Sequence, residues 1–230
     1  MFENKAFDKW NKFYREASAS GVELAWPSET LIRLFKGNYV SGLEKDYKGK
    51  TVIDVGFGNG NNFFLLASLG LKLYGTEVGE EMCNTVMSKL AELGHEADLR
   101  VGTNRQLPFE NEMFDYLVSW NVIHYEDTQD KMLDAISEYH RVLRRGGRFF
   151  LSTTGPEHKI LKDSDQLDEH RYRIGRSDDF RKGEVYFYFN TAENLKAWLS
   201  KCFSEVIVGR TRDFLMTEML DWFIATGVRE

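Results

Sequence analysis

At 230 residues with 42% hydrophobic content, the chain has the length and apolar material for one α/β domain with a short extension. A formal net charge of −6 argues against a phosphate backbone as the main partner, because duplex binding relies on a basic face. Two cysteines are too few for a disulfide framework, the mixed-charge N-terminus lacks a leader's apolar core, and no apolar run approaches the ~20 residues of a membrane span, so the expectation is a soluble cytoplasmic protein with no membrane partner.

In chain order, Phe2, Phe7, Trp10, Phe13, Tyr14 and Ala17 recur mostly at three and four, the spacing of an amphipathic helix. Trp26-Pro27-Ser28-Glu29 predicts a second helix start, with Ser28 as N-cap and Leu31, Ile32, Leu34 and Phe35 following. Residues 1–48 thus form a helical cap, either a layer packed on a sheet or a lid whose Tyr14 and Trp26 cover a ligand. Strands are expected at 50–55, 71–77, 97–102, 114–119 and 148–153, with helices at about 61–69, 80–93 and 129–143 between them. The third helix ends in Arg144-Arg145-Gly146-Gly147, cations on a last turn before a glycine stop. Residues 155–183 read as a long, charged, irregular loop on the carboxyl edge of the sheet, within a segment 155–189 assigned as an insertion. A helix over 191–201, capped by Thr191 or Asn190, precedes closing strands at 205–208 and 222–228. Residues 212–221 have no assignment. The alternation predicts an α/β, doubly wound, mostly parallel sheet of seven strands, with the last strand antiparallel.

Val52-Ile-Asp-Val-Gly-Phe-Gly-Asn-Gly60 organises this chain. A β-branched run ends in Gly56, Gly58 and Gly60, which let the backbone turn tightly and approach a ligand, and a helix follows. That unit places nucleotide-like ligands at the carboxyl edge of a sheet. A dinucleotide fingerprint needs a third small residue at position 61, where Asn61 stands. The stretch resembles the first motif of class I S-adenosylmethionine-dependent methyltransferases. Further landmarks carry the resemblance in order: Glu77 closing the second strand, Gly102-Thr-Asn-Arg-Gln-Leu-Pro-Phe109, Phe114 to His124, and Arg141 to Arg148. It implies a Rossmann-like domain over 49–230, S-adenosyl-L-methionine as cofactor, and methyl transfer to an oxygen or nitrogen of a small-molecule acceptor.

The resemblance carries the cofactor onto Asp54, Gly56, Gly58, Gly60, Glu77, Val78, Thr103, Asn104, Arg105, Trp120 and Asn121. A carboxylate accepts two hydrogen bonds at once, which suits the paired hydroxyls of a ribose at Glu77. Asp54 interrupts an apolar strand, so it needs a partner if buried: the methionine amine, or the amides of the glycine turn. Thr103 stands where the family commonly has an Asp that takes the adenine amino group, so Thr103 or Asn104 supplies the acceptor instead. Trp120 reads as core or as a pocket wall beside the sulfonium.

On the acceptor side, His124 is either pocket scaffold or general base, since imidazole titrates near neutrality. Tyr14, Trp26, Tyr125, His158, Arg171 and Arg173 join it as acceptor-side residues, with His170 a further candidate base. Two residues apart on an extended segment, Arg171 and Arg173 would face one way and clamp a phosphate or carboxylate of a phosphorylated or sugar-type acceptor. The acids of the same loop leave a plain solvated loop as the competing reading. Clustered Cys/His ligands are missing, so no metal is expected. The competing functions are a nicotinamide oxidoreductase, opposed by Asn61, and a nucleic-acid methyltransferase, opposed by the net acidity and by Asn121-Val-Ile-His where such enzymes carry Asn/Asp-Pro-Pro-aromatic. A third is a non-catalytic binding protein, opposed by the intact turn and Glu77.

Overall fold

A computed structural model describes residues 26–230 together with Lys9, Lys12 and Glu16; Tyr14 and the first predicted helix lie outside the described residues apart from those three. The first helix to be followed whole is α1 (Glu29–Lys36). Strands and helices then alternate: β1 (Thr51–Val55), α2 (Asn61–Ser68), β2 (Lys72–Glu77), α3 (Glu80–Glu92), β3 (Ala97–Val101), β4 (Phe114–Trp120), α4 (Gln129–Val142) and β5 (Leu143–Thr154). A small sheet follows, β6 (Asp165–Gln166), β7 (Arg171–Arg173) and β8 (Val185–Phe187), then α5 (Ala192–Leu199), β9 (Ser204–Leu215) and β10 (Glu218–Val228). The main sheet has seven strands in the order β3-β2-β1-β4-β5-β10-β9. Pairings among β3, β2, β1, β4 and β5 are parallel, and β10 runs antiparallel to both its neighbours.

The period-2 burial of β1 shows how the layers are built. Ile53 and Val55 enter one core with Leu117, Tyr139 and Phe149, whereas Val52 enters the other with Phe63, Val118 and Phe150. α1 covers the second face: Leu31 and Phe35 are fully buried, and Phe35 meets Tyr47, Tyr116 and Phe150 at ring-centroid distances of 4.6–6.0 Å. The described part of the N-terminal cap is therefore a layer on the sheet. Phe35→Ala is expected to destabilise the protein by roughly 3–5 kcal/mol through the cavity it leaves. Urea unfolding measures this, and a change below about 1 kcal/mol would mean that α1 is not part of the cooperative core.

Three expectations need correction, and one unassigned stretch is placed. Ser28 makes no side-chain cap; its N–H donates instead to Asn62 Oδ1 at 3.3 Å, tying the start of α1 to α2. The glycine pair does not stop α4. The helix ends at Val142, and Leu143 already pairs with Phe114 as the start of β5. Gly146 and Gly147 are then held within that strand by backbone bonds to Arg229, while Arg144 forms an ion pair with Asp115. Residues 155–183 are mostly irregular, as expected, but they also carry β6 and β7, which pair with β8 in the small sheet; Phe187 and Phe189 anchor it, fully buried against Trp198. Residues 212–221 belong to one long β9–β10 hairpin turning at Met216-Thr217. Met216 adopts φ +58 there, and no glycine announces the turn. Thr191 does cap α5, accepting from the Asn194 N–H at 3.1 Å.

Candidate active site

The carboxyl ends of β1, β2 and β4 open into a cavity of about 570 Å³, within the range of small-molecule sites. The turn after β1 forms its floor. Gly56 has φ +63, and a Cβ there would lie 2.7 Å from the Val122 methyls; Gly60 has φ +81 and would meet Val86 at 2.6 Å. Both positions therefore need glycine for conformation and for space. Gly56 and Gly58 line the cavity, while Gly60 sits just behind as the N-cap of α2.

Glu77 ends β2 at this floor, buried, with Oε2 accepting from the Gly58 N–H at 2.9 Å and Oε1 from the Val78 N–H at 2.8 Å. Burial raises its pKa, and those two amides oppose the rise. Each carboxylate oxygen keeps a second acceptor position, so Glu77 braces the turn and can still receive two hydroxyls from the cavity. Asp54 lies beneath the turn rather than on the cavity wall. Neither of its oxygens has a hydrogen-bond partner, so the expected bond to the turn amides is absent. Burial pushes its pKa up to about 8, the Asn62 side chain favours the carboxylate without reaching hydrogen-bond geometry, and Glu77 adds to the rise.

Thr103, Asn104 and Arg105 form one wall. Asn104 is already committed: its Nδ2 donates to Glu126 Oε1 at 3.1 Å, and its Oδ1 accepts from the Tyr139 hydroxyl at 2.6 Å. Thr103 is the neighbour left to offer a side-chain acceptor. Arg105 pairs with Glu126 at 3.0 Å. Val78, Trp120 and Asn121 also line the cavity.

Aromatic residues also line the cavity: His124, Tyr125 and Trp222, with the His124 ring near both others, and Trp26, 80% exposed at the rim. His124 is buried, with Nδ1 3.5 Å from Thr153 Oγ1 and its ring 4.7 Å from Tyr125 and 5.1 Å from Tyr186. Burial first, then the charge of Arg181 and the proximity of His158, hold its pKa well below the usual 6.5, so the imidazole is neutral at physiological pH.

Three expected acceptor-side residues are not on the cavity wall. His158 is buried behind Trp222, 4.3 Å ring to ring, and its Nδ1 accepts from the Ile160 N–H at 3.1 Å as a helix cap. Burial lowers its pKa to about 4. Arg171 and Arg173 do share one strand, β7, but Arg171 is held by Asp168 at 2.6 Å and Arg173 is exposed. His170, the other candidate base, stacks on Phe187 within the core.

The wall instead takes Arg181 from the β7–β8 connection, Thr211 and Asp213 from β9, and Trp222 and Ile224 from β10. Arg181 had only its charge to mark it among the loop cations. Thr211 and Trp222 are paired across the hairpin, a neighbour relation that strand alternation alone does not reveal. Among the described residues no cluster of His, Cys, Asp and Glu could hold a metal, and no helix is long and apolar enough to cross a membrane.

Residues 53–151 match a family described as a methyltransferase domain. An uncharacterized methyltransferase of Anoxybacillus flavithermus is 33% identical over 106 residues, 46% of this chain and 48% of that protein. The human protein called probable tRNA methyltransferase 9B is 30% identical over 135 residues, 59% of this chain and 26% of its own length. The chain thus spans half or less of these two curated relatives. Among solved structures, phosphoethanolamine N-methyltransferase 2 of Haemonchus contortus, in complex with S-adenosyl-L-methionine, superposes with a TM-score of 0.62 at 17% identity, covering 87% of this chain and 51% of that one.

Proposed function

We propose that the chain is a class I S-adenosylmethionine-dependent methyltransferase and that it methylates an oxygen or nitrogen atom of a small-molecule acceptor. The observation that carries the reading is one cavity running from the glycine turn and Glu77 to His124, Tyr125 and Trp222. S-adenosylmethionine is the cofactor, and three features of the turn suit it: a glycine backbone that carries no side chain of its own at 56 and 58, a braced carboxylate with acceptor positions to spare, and an orphaned Asp54 beneath. When bound, the cofactor supplies a methyl group already activated on a sulfonium.

The protein's own work is then positional. Glu77 accepts from the ribose hydroxyls, Val78, Thr103 and Arg105 flank the base, and Trp120 and Asn121 line the cavity beside them. Residues 155–189 serve as the acceptor-side insertion, contributing Arg181. Holding nucleophile and methyl in line and excluding water carries most of the rate. For a hydroxyl acceptor, neutral His124 takes the proton. His124→Asn is expected to lower kcat about 10²–10⁴-fold with cofactor affinity preserved. The base is active when unprotonated and its pKa lies well below 6.5, so the acidic limb it imposes falls below pH 6.5 and the rate is flat above. A limb centred near 7 in a pH–rate profile would remove His124 from the role.

A cytoplasmic setting agrees with the two free thiols, Cys83 and Cys202. A tRNA acceptor is the second reading, favoured by the relative whose name states it and opposed by the net charge of −6. The test offers labelled S-adenosylmethionine with a metabolite fraction or with total tRNA, alongside mass spectrometry of co-purified ligand. Label in tRNA overturns the small-molecule reading. Failure of S-adenosylhomocysteine to bind in calorimetry would favour a non-catalytic protein.

A further inference from the structure

We propose that Asn121 makes oxygen, rather than nitrogen, the atom that this protein methylates. This rests on the methyltransferase reading and narrows its acceptor. Asn121 follows β4 with φ +60, a left-handed conformation that asparagine tolerates better than most residues. Ser152 of β5 holds it there. The Asn121 N–H donates to the Ser152 carbonyl at 3.2 Å and to Ser152 Oγ at 2.9 Å, and the Ser152 hydroxyl donates to Asn121 Oδ1. That hydroxyl has one proton and meets no other acceptor among the described residues, so Oδ1 is the atom turned toward Ser152. Nδ2 then faces the other way. It meets no described residue and is not among the buried atoms left without a partner, so its two N–H groups open on the cavity that Asn121 lines.

The sheet order β3-β2-β1-β4-β5 puts those donors near the reacting atoms. With the base beside Thr103 at the end of β3 and the ribose on Glu77 at the end of β2, the sulfonium lies over β1 and β4 and the acceptor beyond it, over β4 and β5. There Asn121 and His124, both on the exit from β4, line the cavity. An acceptor oxygen can take a hydrogen bond from Asn121 on one lone pair and keep another for the methyl carbon. A neutral amine has a single lone pair, and an N–H donor that engages it blocks attack. In the transfer the oxygen forms the O–CH3 bond as the S–CH3 bond breaks and its electron pair stays on sulfur. A hydroxyl gives its proton to His124, and a carboxylate has none to give.

The binding probes are para-nitrophenol, titrated as its phenolate, and para-nitroaniline, its amine match, each added to protein saturated with S-adenosylhomocysteine and followed by calorimetry. The phenolate is expected to bind about tenfold or more tightly than the aniline, as a hydrogen bond to a charged group requires. Asn121→Gly, which accepts the same positive φ and removes the donors without adding charge, should remove most of that preference. Asn121→Asp, which turns an acceptor of the same shape toward the cavity, should reverse it, and it keeps the proposal open to refutation if Asn121→Gly fails to fold. In parallel, wild-type protein is given a metabolite extract and S-adenosylmethionine with an isotope-labelled methyl group, and carbon NMR tells O-methyl from N-methyl products. Labelled O-methyl product is expected. Labelled N-methyl product, aniline binding as tight as phenolate binding, no saturable phenolate binding, or a phenolate preference that survives Asn121→Gly each overturns the assignment. S-adenosylhomocysteine binding is measured on its own in every variant. Its absence in the wild type strikes the methyltransferase reading, whereas a missing phenolate preference with that binding intact strikes Asn121 alone.

Discussion

Glu77→Ala is expected to weaken S-adenosylhomocysteine binding by about a hundredfold or more, since hydrogen bonds to a charged group contribute roughly 1.5–3 kcal/mol each and two are lost. The carboxylate already accepts the Gly58 and Val78 amides, so the substitution also strips the turn of its brace. A fall in the melting temperature of the free protein should therefore accompany the loss of affinity. Glu77→Gln separates the two effects. It retains one acceptor oxygen for an amide of the turn but loses the charge, so its affinity should lie between the others while its stability stays closer to wild type. Calorimetric titration gives the affinities, and wild-type affinity in Glu77→Ala would reduce Glu77 to a structural brace.

Asp54→Asn should move stability and binding in opposite directions. In the unfolded chain this carboxyl ionises at about 4. In the folded protein it keeps its proton up to about 8, because burial without a hydrogen-bond partner penalises the charge. Between those values the folded state binds more protons than the unfolded one. Asp54 therefore makes stability fall as pH rises from about 4 to about 8, with no further change above. The amide lacks this liability. At pH 7.5 the variant should melt several degrees above wild type, a gain of about 2 kcal/mol corresponding to roughly 4–8 °C for a chain of this size. The gain should vanish near pH 4. Affinity for S-adenosylhomocysteine should nonetheless drop about tenfold or more, since the cationic amine of the ligand loses the opposite charge beneath the turn. A variant less stable than wild type at pH 7.5, or a gap independent of pH, would show that Asp54 is satisfied in the free protein.

Much of the cofactor half was legible because its signals are local. A Val/Ile run, glycines at 56, 58 and 60, and an acid closing the next strand each report a backbone requirement or a strand end. The positive φ of Gly56 and Gly60 and the position of Glu77 agree with them. Asn104 shows the limit of such reading. Its residue type suits an adenine contact, but Tyr139 and Glu126, more than twenty residues away in the chain, occupy its amide. The rest of the cavity wall is built from segments far apart in the chain, and there local signals misled. Arg171 and Arg173 have the spacing of a clamp, but Asp168 holds Arg171, Arg173 is exposed, and neither lines the cavity. Arg181 reaches the cavity because Phe187 and Phe189 pin that sheet to the core. His158 looked like an accessible base, but Trp222 and a helix cap enclose it.

By itself, then, the sequence determined the alternating α/β order, the glycine turn and the acid that closes the second strand beside it, all consequences of backbone conformation and of periodic burial along single elements. Tertiary structure alone decided which side chains line the rest of the cavity. That depends on how the β9–β10 hairpin, the β6–β8 sheet and the start of α1 converge over the ends of β4 and β5. Such convergence arises from packing between segments distant in the chain, where spacing along the sequence no longer measures distance in space.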